Sequence, residues 1–206
     1  MFDAEPPLDD LLPTYNLAPT DEAAVVVERS DRRAIRAYRW GLIPSWAKDE
    51  KIASKLFNAR AETLSTSGAF RESFRRRRCI VPADAFYEWQ RQGGLRQPFL
   101  IRRADGAPLA LAGLWSGWRH PETEQVIRTF TIVTTTANRA LSSVHDRMPV
   151  VLAPEHWRRW LDPAMEDTGE LTGLLQPAPD DDLVLYPVRP LVNNVRNNGP
   201  ELIEPA

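Results

Sequence analysis

The chain has 206 residues, 43% of them hydrophobic and 26% charged, with a formal net charge of −2. This is the composition of a soluble globular protein long enough to bury one core, and it excludes wholly disordered and membrane classes. A single cysteine excludes an internal disulfide framework, and three histidines beside it form no metal-ligand spacing, so no metal or other cofactor is expected.

Residues 1–14 carry Asp3, Glu5, Asp9 and Asp10 with three prolines and read as a leader into the fold. They lack the basic start and apolar core of a secretory signal, and no later stretch is long and apolar enough to span a membrane, so the cytoplasm is the expected location. Tyr15-Asn16-Leu17-Ala18-Pro19 is a turn. Residues 23–28 are β-branched and residues 34–40 alternate apolar and polar, which predicts a hairpin turning near Asp31. Trp40-Gly41-Leu42-Ile43-Pro44-Ser45-Trp46 reads as an ordered surface loop, with Trp40 in the core and Trp46 exposed as a stacking platform for a base.

Asn58-Ala59-Arg60-Ala61-Glu62 sets an amide, a guanidinium and a carboxylate within five residues, either a capping network or a site. Residues 65–74 then predict a helix with a Ser/Thr cap. From 58 to 103 there are ten arginines against four acids, so this window carries +6. Four of those arginines are consecutive, Arg75 to Arg78, and a block of like charge is costly unless an anion meets it. Phosphate in a polyanion groove is one such anion, and an ion-paired surface is the plainer alternative. Just beyond, Glu88 is embedded in Phe86-Tyr87-Glu88-Trp89, where packed rings would desolvate it and raise its pKa toward the range useful for proton transfer.

Strands are expected at 98–103, 109–115 and 129–135, separated by turns at Gly93-Gly94, Asp105-Gly106 and His120-Pro121. Their spacing indicates a β-rich sheet or barrel. A short helix at 137–143 leads to His145-Asp146-Arg147-Met148-Pro149, which combines an imidazole, a carboxylate and a guanidinium before a strand at 150–152. His-Asp adjacency suits proton transfer and is equally a common loop composition. A capped helix at 154–161, with His156 structural, and a surface helix and linker at 166–182 precede a last strand at 183–188. The turn Asn193-Asn194-Val195-Arg196-Asn197-Asn198 offers amides and one arginine to a phosphate.

The order of these motifs along the chain, from Tyr15-Asn16-Leu17-Ala18-Pro19 through Trp40 to Trp46, Asn58 to Glu62, Cys79-Ile80-Val81-Pro82, Phe86-Tyr87-Glu88-Trp89, His145 to Pro149 and Asn194-Val195, resembles the SOS response-associated peptidase (SRAP) family. The resemblance implies an α+β fold over residues 1–206: one domain, monomeric, built on a β-rich curved sheet or barrel with peripheral helices. It implies a partner, single-stranded DNA with an abasic site. Family members remove their initiator methionine, expose a second-position cysteine and join it to the ring-opened sugar as a thiazolidine. By motif, Asn58, Glu88 and His145 correspond to catalytic positions, Arg60 and Arg147 to phosphate-holding arginines, and Thr134 to a residue near the lesion. Trp46, Trp89 and Arg196 complete the expected DNA-binding set.

This chain begins Met1-Phe2-Asp3, where the family begins Met-Cys-Gly-Arg, and Cys79 falls on an interior strand that does not inherit the nucleophile's role. The departure reads either as a strand and cysteine segment missing upstream, the favoured reading because no replacement nucleophile is present, or as a protein that lacks the crosslinking thiol. This chain is then expected to bind abasic strands with at most slow Schiff-base lyase activity. Two other functions fit some of the residues. One is a non-catalytic single-strand binder using the arginines and tryptophans; the other is a cysteine hydrolase centred on Cys79, disfavoured because Ile80-Val81 suggest a buried strand.

Overall fold

A computed structural model describes residues 1–7, 11–29 and 32–206. The β-branched runs pair with their sequence neighbours, as expected: Glu22–Arg29 (β1) and Arg32–Trp40 (β2) form an antiparallel hairpin in register from Glu22 opposite Arg39 to Arg29 opposite Arg32. Its turn near Asp31 lies outside the described residues. Further strands are Asn58–Arg60 (β3), Arg78–Ala83 (β4), Ala85–Gln92 (β5), Leu95–Arg103 (β6), Leu109–Arg119 (β7), Val126–Thr136 (β8), Arg147–Pro149 (β9) and Leu183–Pro187 (β10).

Seven of these strands form one sheet in the order β2-β1-β4-β7-β8-β3, with β9 beside β8. β2 also pairs parallel with β8, Arg39 opposite Thr129 and Trp40 opposite Phe130, so β2, β1, β4, β7 and β8 close into a five-stranded barrel. Closure leaves these five strands with few free backbone groups. Further along the same edge of β8, β3 takes over, also parallel. Val25, Val27, Tyr38, Cys79, Val81, Leu111, Phe130 and Ile132 form the interior cluster. Tyr38 and Trp115 meet there at 5.8 Å across strands that are not neighbours. One end of this interior is roofed by a three-stranded sheet, β10-β6-β5, through Phe86, Phe99, Ile101, Leu183 and Leu185.

Opposite residues of the same strands, Val26, Ile80, Ala112, Leu114 and Val133, pack outward against three short helices, Arg71–Arg76 (α1), Trp157–Leu161 (α2) and Thr168–Gly173 (α3). Phe2 joins this layer, 8% exposed, with its ring 4.6 Å from Trp157. Glu5 exchanges backbone hydrogen bonds with Arg33 and Ile35, so the first residues of the leader are part of the packed structure.

Several local expectations change. The helix expected at 65–74 forms only over α1 and has no side-chain cap, because the preceding residues make tight turns. Residues 137–143 are turns rather than a helix, and in place of the strand expected at 150–152 the chain forms β9 just before it and a single bridge from Val151 to Leu111. The segment from 154 opens as a 3-10 turn with Pro154 at its start and no side-chain cap before α2. In the loop between the tryptophans Leu42 and Ile43 are fully buried, so half of it belongs to the core.

The arginine block also has its anions within the protein. Arg75 and Arg76 share Glu166, at 2.6 and 2.9 Å. Arg78 is 2% exposed and donates to the carbonyls of Trp160 (2.6 Å), Phe74 (2.7 Å) and Met165 (2.9 Å), and to those of Arg75 and Asp162. Burial lowers its pKa to about 10, with Asp162 and Glu166 opposing. One guanidinium thus satisfies the end of α1 and the turn after α2, groups that would otherwise be buried without partners. Arg78→Met should therefore cost about 3 kcal/mol or more, since each stranded carbonyl carries its desolvation penalty. Thermal unfolding should fall by roughly 6–12 °C, and an unchanged melting temperature would show that water replaces the guanidinium.

Candidate acid–base site

Strand alternation decides which side chains reach the roofed end of the barrel. On β5, Phe86 packs with the barrel interior, while Tyr87 and Trp89 pack on the other face of the small sheet with Leu100, Val188 and Val192. Glu88 shares the Phe86 face by its period of two, opposite Phe99 on β6. The carboxylate is therefore half-buried by the apposed sheets rather than by its flanking rings. Burial raises its pKa above the ordinary carboxylate value; His145 and a hydrogen bond from the Trp89 amide oppose this, and Asp146 adds to it.

His145 comes to Glu88 from the turn between β8 and β9. The buried Asn138 builds that turn: its Nδ2 donates to Ala178 O (3.0 Å) and its Oδ1 accepts from the Leu141 amide (3.0 Å). Gln90, two residues after Glu88 and on the same face, donates to Ser143 O at 2.8 Å and ties β5 to the turn. The His145 ring is 42% exposed, and its Nδ1 accepts the Arg147 amide at 3.0 Å. That bond places the neutral ring's proton on Nε2, free to donate outward. Asp146 Oδ1 lies 3.2 Å from the same Nδ1.

The third wall is the end of β8. In the β3–β8 register Asn58 stands opposite Ile132 and Arg60 opposite Thr134, so Asn58, Arg60 and Thr134 share one face, with Ala59 buried behind. Arg147 Nη2 donates to Thr134 O at 2.7 Å, and its two terminal nitrogens hold Glu62 at 2.7 and 3.0 Å. Glu62 is accordingly held below the usual carboxylate range. Asn58 and Arg60 are exposed.

Glu88, His145, Thr134 and Arg147 are thus joined by direct contacts or mutual electrostatics, and Asn58 and Arg60 adjoin them through register. The other expected DNA contacts lie on separate elements. Trp46 is 62% exposed, its ring fixed by a hydrogen bond from Nε1 to Gly68 O at 3.1 Å. Trp89 points to the far face of its sheet and donates to Asn193 Oδ1 at 2.7 Å. Asn193 lines an open groove of about 700 Å³ with Arg189, Leu191 and Asn194, beside the turn that exposes Arg196. Asn16 holds this turn by donating to Val192, Asn194 and Asn197. Cys79 is fully buried and its thiol is pushed well up by desolvation, so it is inert.

Three residues were missed as supports: Glu62 as the partner of Arg147, Asn138 as the builder of the histidine turn, and Gln90 as its tether. An Asn just after a long strand run is a turn signal that could have exposed the second. The pairings of Glu62 and Gln90 are long-range and have no local signal.

A β-rich domain that sets a desolvated carboxylate against an imidazole with an outward ring proton has the layout of an acid–base enzyme. The model of the family described as SOS response associated peptidase (SRAP) matches residues 1–195, and the chain belongs to this family. It is 45% identical to the abasic site processing protein YoqW of Bacillus subtilis (strain 168) over 193 residues, 93% of this chain and 86% of that protein. It is 33% identical to the abasic site processing protein HMCES of Xenopus tropicalis over 223 residues, covering 94% of this chain and 66% of that one. Among solved structures, a protein from Bacteroides thetaiotaomicron superposes with a TM-score of 0.83 at 28% identity, over 91% of this chain and 82% of that one. One from Bordetella bronchiseptica does so at 0.78 and 31%, over 91% and 92%.

The raised pKa of Glu88 has a consequence for stability. The folded state holds this proton more tightly than the unfolded chain, so stability is lost as pH rises from the ordinary carboxylate pKa through the raised one. Glu88→Gln should unfold at a higher temperature than the parent at neutral pH and at the same temperature at pH 3. A difference that is independent of pH would place the carboxylate in water.

Proposed function

We propose that the chain acts on abasic sites in single-stranded DNA, with Glu88 and His145 as the proton-transfer pair at the opened sugar. The observation that carries this reading is the pairing of the desolvated Glu88 with His145 at the roofed end of the barrel, in a family whose named relatives process abasic sites. Arg60 meets the sugar's phosphate, with Arg147 positioning the histidine turn beside it, Thr134 faces the lesion, and Asn58 orients the attacking amine. The exposed Trp46 and Arg196 contact the strand further away, while Trp89 stays on the far face of the small sheet.

The chemistry assigns each group a step. A neutral amine adds to the C1′ aldehyde, water leaves as the imine forms, and the departing hydroxyl takes a proton from His145 Nε2 while Glu88 accepts one from the amine. An unperturbed α-amine has a pKa of about 8, so a modest base suffices. Where the amine belongs to an N-terminal cysteine, its Sγ then bonds to C1′ and the thiol proton passes to nitrogen, which closes a thiazolidine and shields the lesion. Self-removal of an initiator methionine would draw on the same acid and base to expose that cysteine. Cys79 cannot supply the sulfur from its buried position. With an amine alone the imine proceeds by β-elimination: a base removes a C2′ proton, the C3′–O bond breaks and the phosphate leaves.

Incubation with abasic and intact single strands, with and without borohydride, tests the proposal. The 206-residue chain should give a reducible adduct with the abasic strand only, and Glu88→Gln or His145→Ala should slow its formation about 100-fold, within the usual range for loss of a general acid or base. Equal binding of both strands, unaffected by either substitution, would overturn it in favour of a plain single-strand binder.

A further inference from the structure

The other end of the barrel carries a different chemistry. On β8, Arg128 lies six residues before Thr134 and on the same interior face, so the two mark opposite mouths about 20 Å apart at strand spacing. Around Arg128 a groove of about 690 Å³ opens, lined by Arg29, Arg32 and Arg36 from the β1–β2 hairpin, with Tyr38 at its base. Arg29 is fixed in place, its guanidinium stacked 4.6 Å over the Trp115 ring.

Four guanidiniums face two carboxylates here, Glu5 and Glu22. Glu5 stands 3.8 Å from Arg32, too far for a hydrogen bond. Among the described residues Arg29, Arg36 and Arg128 pair with no carboxylate, in contrast to Arg75, Arg76 and Arg147, whose acids are in contact. Arg36 donates only to the carbonyl of Ile35. Tyr38 is 4% exposed; burial raises its pKa, so its hydroxyl keeps its proton and remains a donor. Like charges held together on strands, rather than on loops that could splay, call for an anion, and guanidiniums with a hydroxyl suit tetrahedral phosphate oxygens.

We propose that this mouth is a second anion site, taking a phosphate group through Arg29, Arg36 and Arg128 with the Tyr38 hydroxyl as a further donor. It is separate from the acid–base end and does not depend on the reading given to that end. The phosphate belongs either to a nucleic-acid strand or to a small phosphorylated molecule, and both present the same chemistry.

Titration with inorganic triphosphate and with an intact oligothymidylate at several salt concentrations decides the matter, using the parent chain, Arg36→Gln/Arg128→Gln and the exposed single variant Arg128→Gln. The parent should bind triphosphate, and the double variant should bind it at least about tenfold more weakly. If the ligand is a strand, the double variant's salt slope for oligothymidylate should also fall by about 1.4, two phosphate contacts at the single-strand value. Loss of triphosphate binding alone assigns the site to a small phosphorylated ligand. Glu88→Gln should bind triphosphate like the parent, and Arg128→Gln should trap a short abasic strand like the parent, which keeps the two ends separable. Should the parent fail to bind triphosphate, or both variants bind triphosphate and oligothymidylate like the parent, the site does not exist.

Discussion

Everything at the acid–base end depends on one edge of β8 being shared in sequence by two strands parallel to it. Parallel strands cannot be joined by a tight turn, and here β2 must leave the edge and β3 rejoin it further along. The excursion begins at Gly41, whose amide still bonds Phe130 O at 2.8 Å, and ends at Phe57, whose carbonyl receives the Ile132 amide at 3.1 Å. Gly41 has φ +116°, and a Cβ there would lie 2.8 Å from the Ala53 carbonyl oxygen, so only glycine lets the returning loop close. Trp40 Nε1 donates to Phe57 O at 2.7 Å, and the Thr129 hydroxyl receives the Ile43 amide at 2.9 Å, so both ends of the loop are fastened to the strands they serve. Asn58 then enters the edge beside Ile132, and Arg60 follows beside Thr134.

The barrel so closed is a partition as much as a core. Its interior cluster is packed along its length, with Gly113 allowing Cys79 to lie against β7: a Cβ there would stand 2.8 Å from Sγ. Groups at the two mouths share strands but stand about 20 Å apart at strand spacing, beyond the screening length at physiological salt. One mouth mixes signs, bringing Glu88 from the small sheet, Glu62 from the turn after β3, and His145 and Asp146 from the turn before β9 to Arg60 and Arg147. The other is dominated by arginine.

The strands were legible because β-branched alternation and glycine turns are local signals, and the barrel followed from their number and spacing. Local composition misled where side chains had nearer partners. Residues 65–74 were expected to be helical, yet the Thr63 and Thr66 hydroxyls bond the carbonyls of Arg60 and Thr63 at 3.3 Å, and the backbone turns there instead. The block from Arg75 to Arg78 suggested a phosphate groove, but its carboxylate stands about 90 positions later in the chain at Glu166, a pairing no local window contains. The raised pKa of Glu88 was anticipated from packing among Phe86, Tyr87 and Trp89; Phe86 shares its face, but alternation turns Tyr87 and Trp89 away, and the rest of the desolvation comes from sheets brought together by contacts far apart in sequence. Family resemblance proposed positions for the site; it did not reveal Glu62, Asn138 and Gln90, which hold Arg147, the histidine turn and β5 in place.

Glu62 changes the weight each arginine carries. With both terminal nitrogens of Arg147 on that carboxylate and one also on the Thr134 carbonyl, the guanidinium is largely committed within the protein. Its charge is offset locally, and its backbone amide fixes His145 Nδ1. Arg147 therefore acts first on geometry: it joins β9 to β8 and to the turn after β3, and sets the imidazole's tautomer. Arg60 is left as the exposed cation beside a nearly neutral cluster. On the function proposed above, binding at this end would be governed by fit more than by charge, because a neutral cluster gives a bare phosphate run little reason to stay.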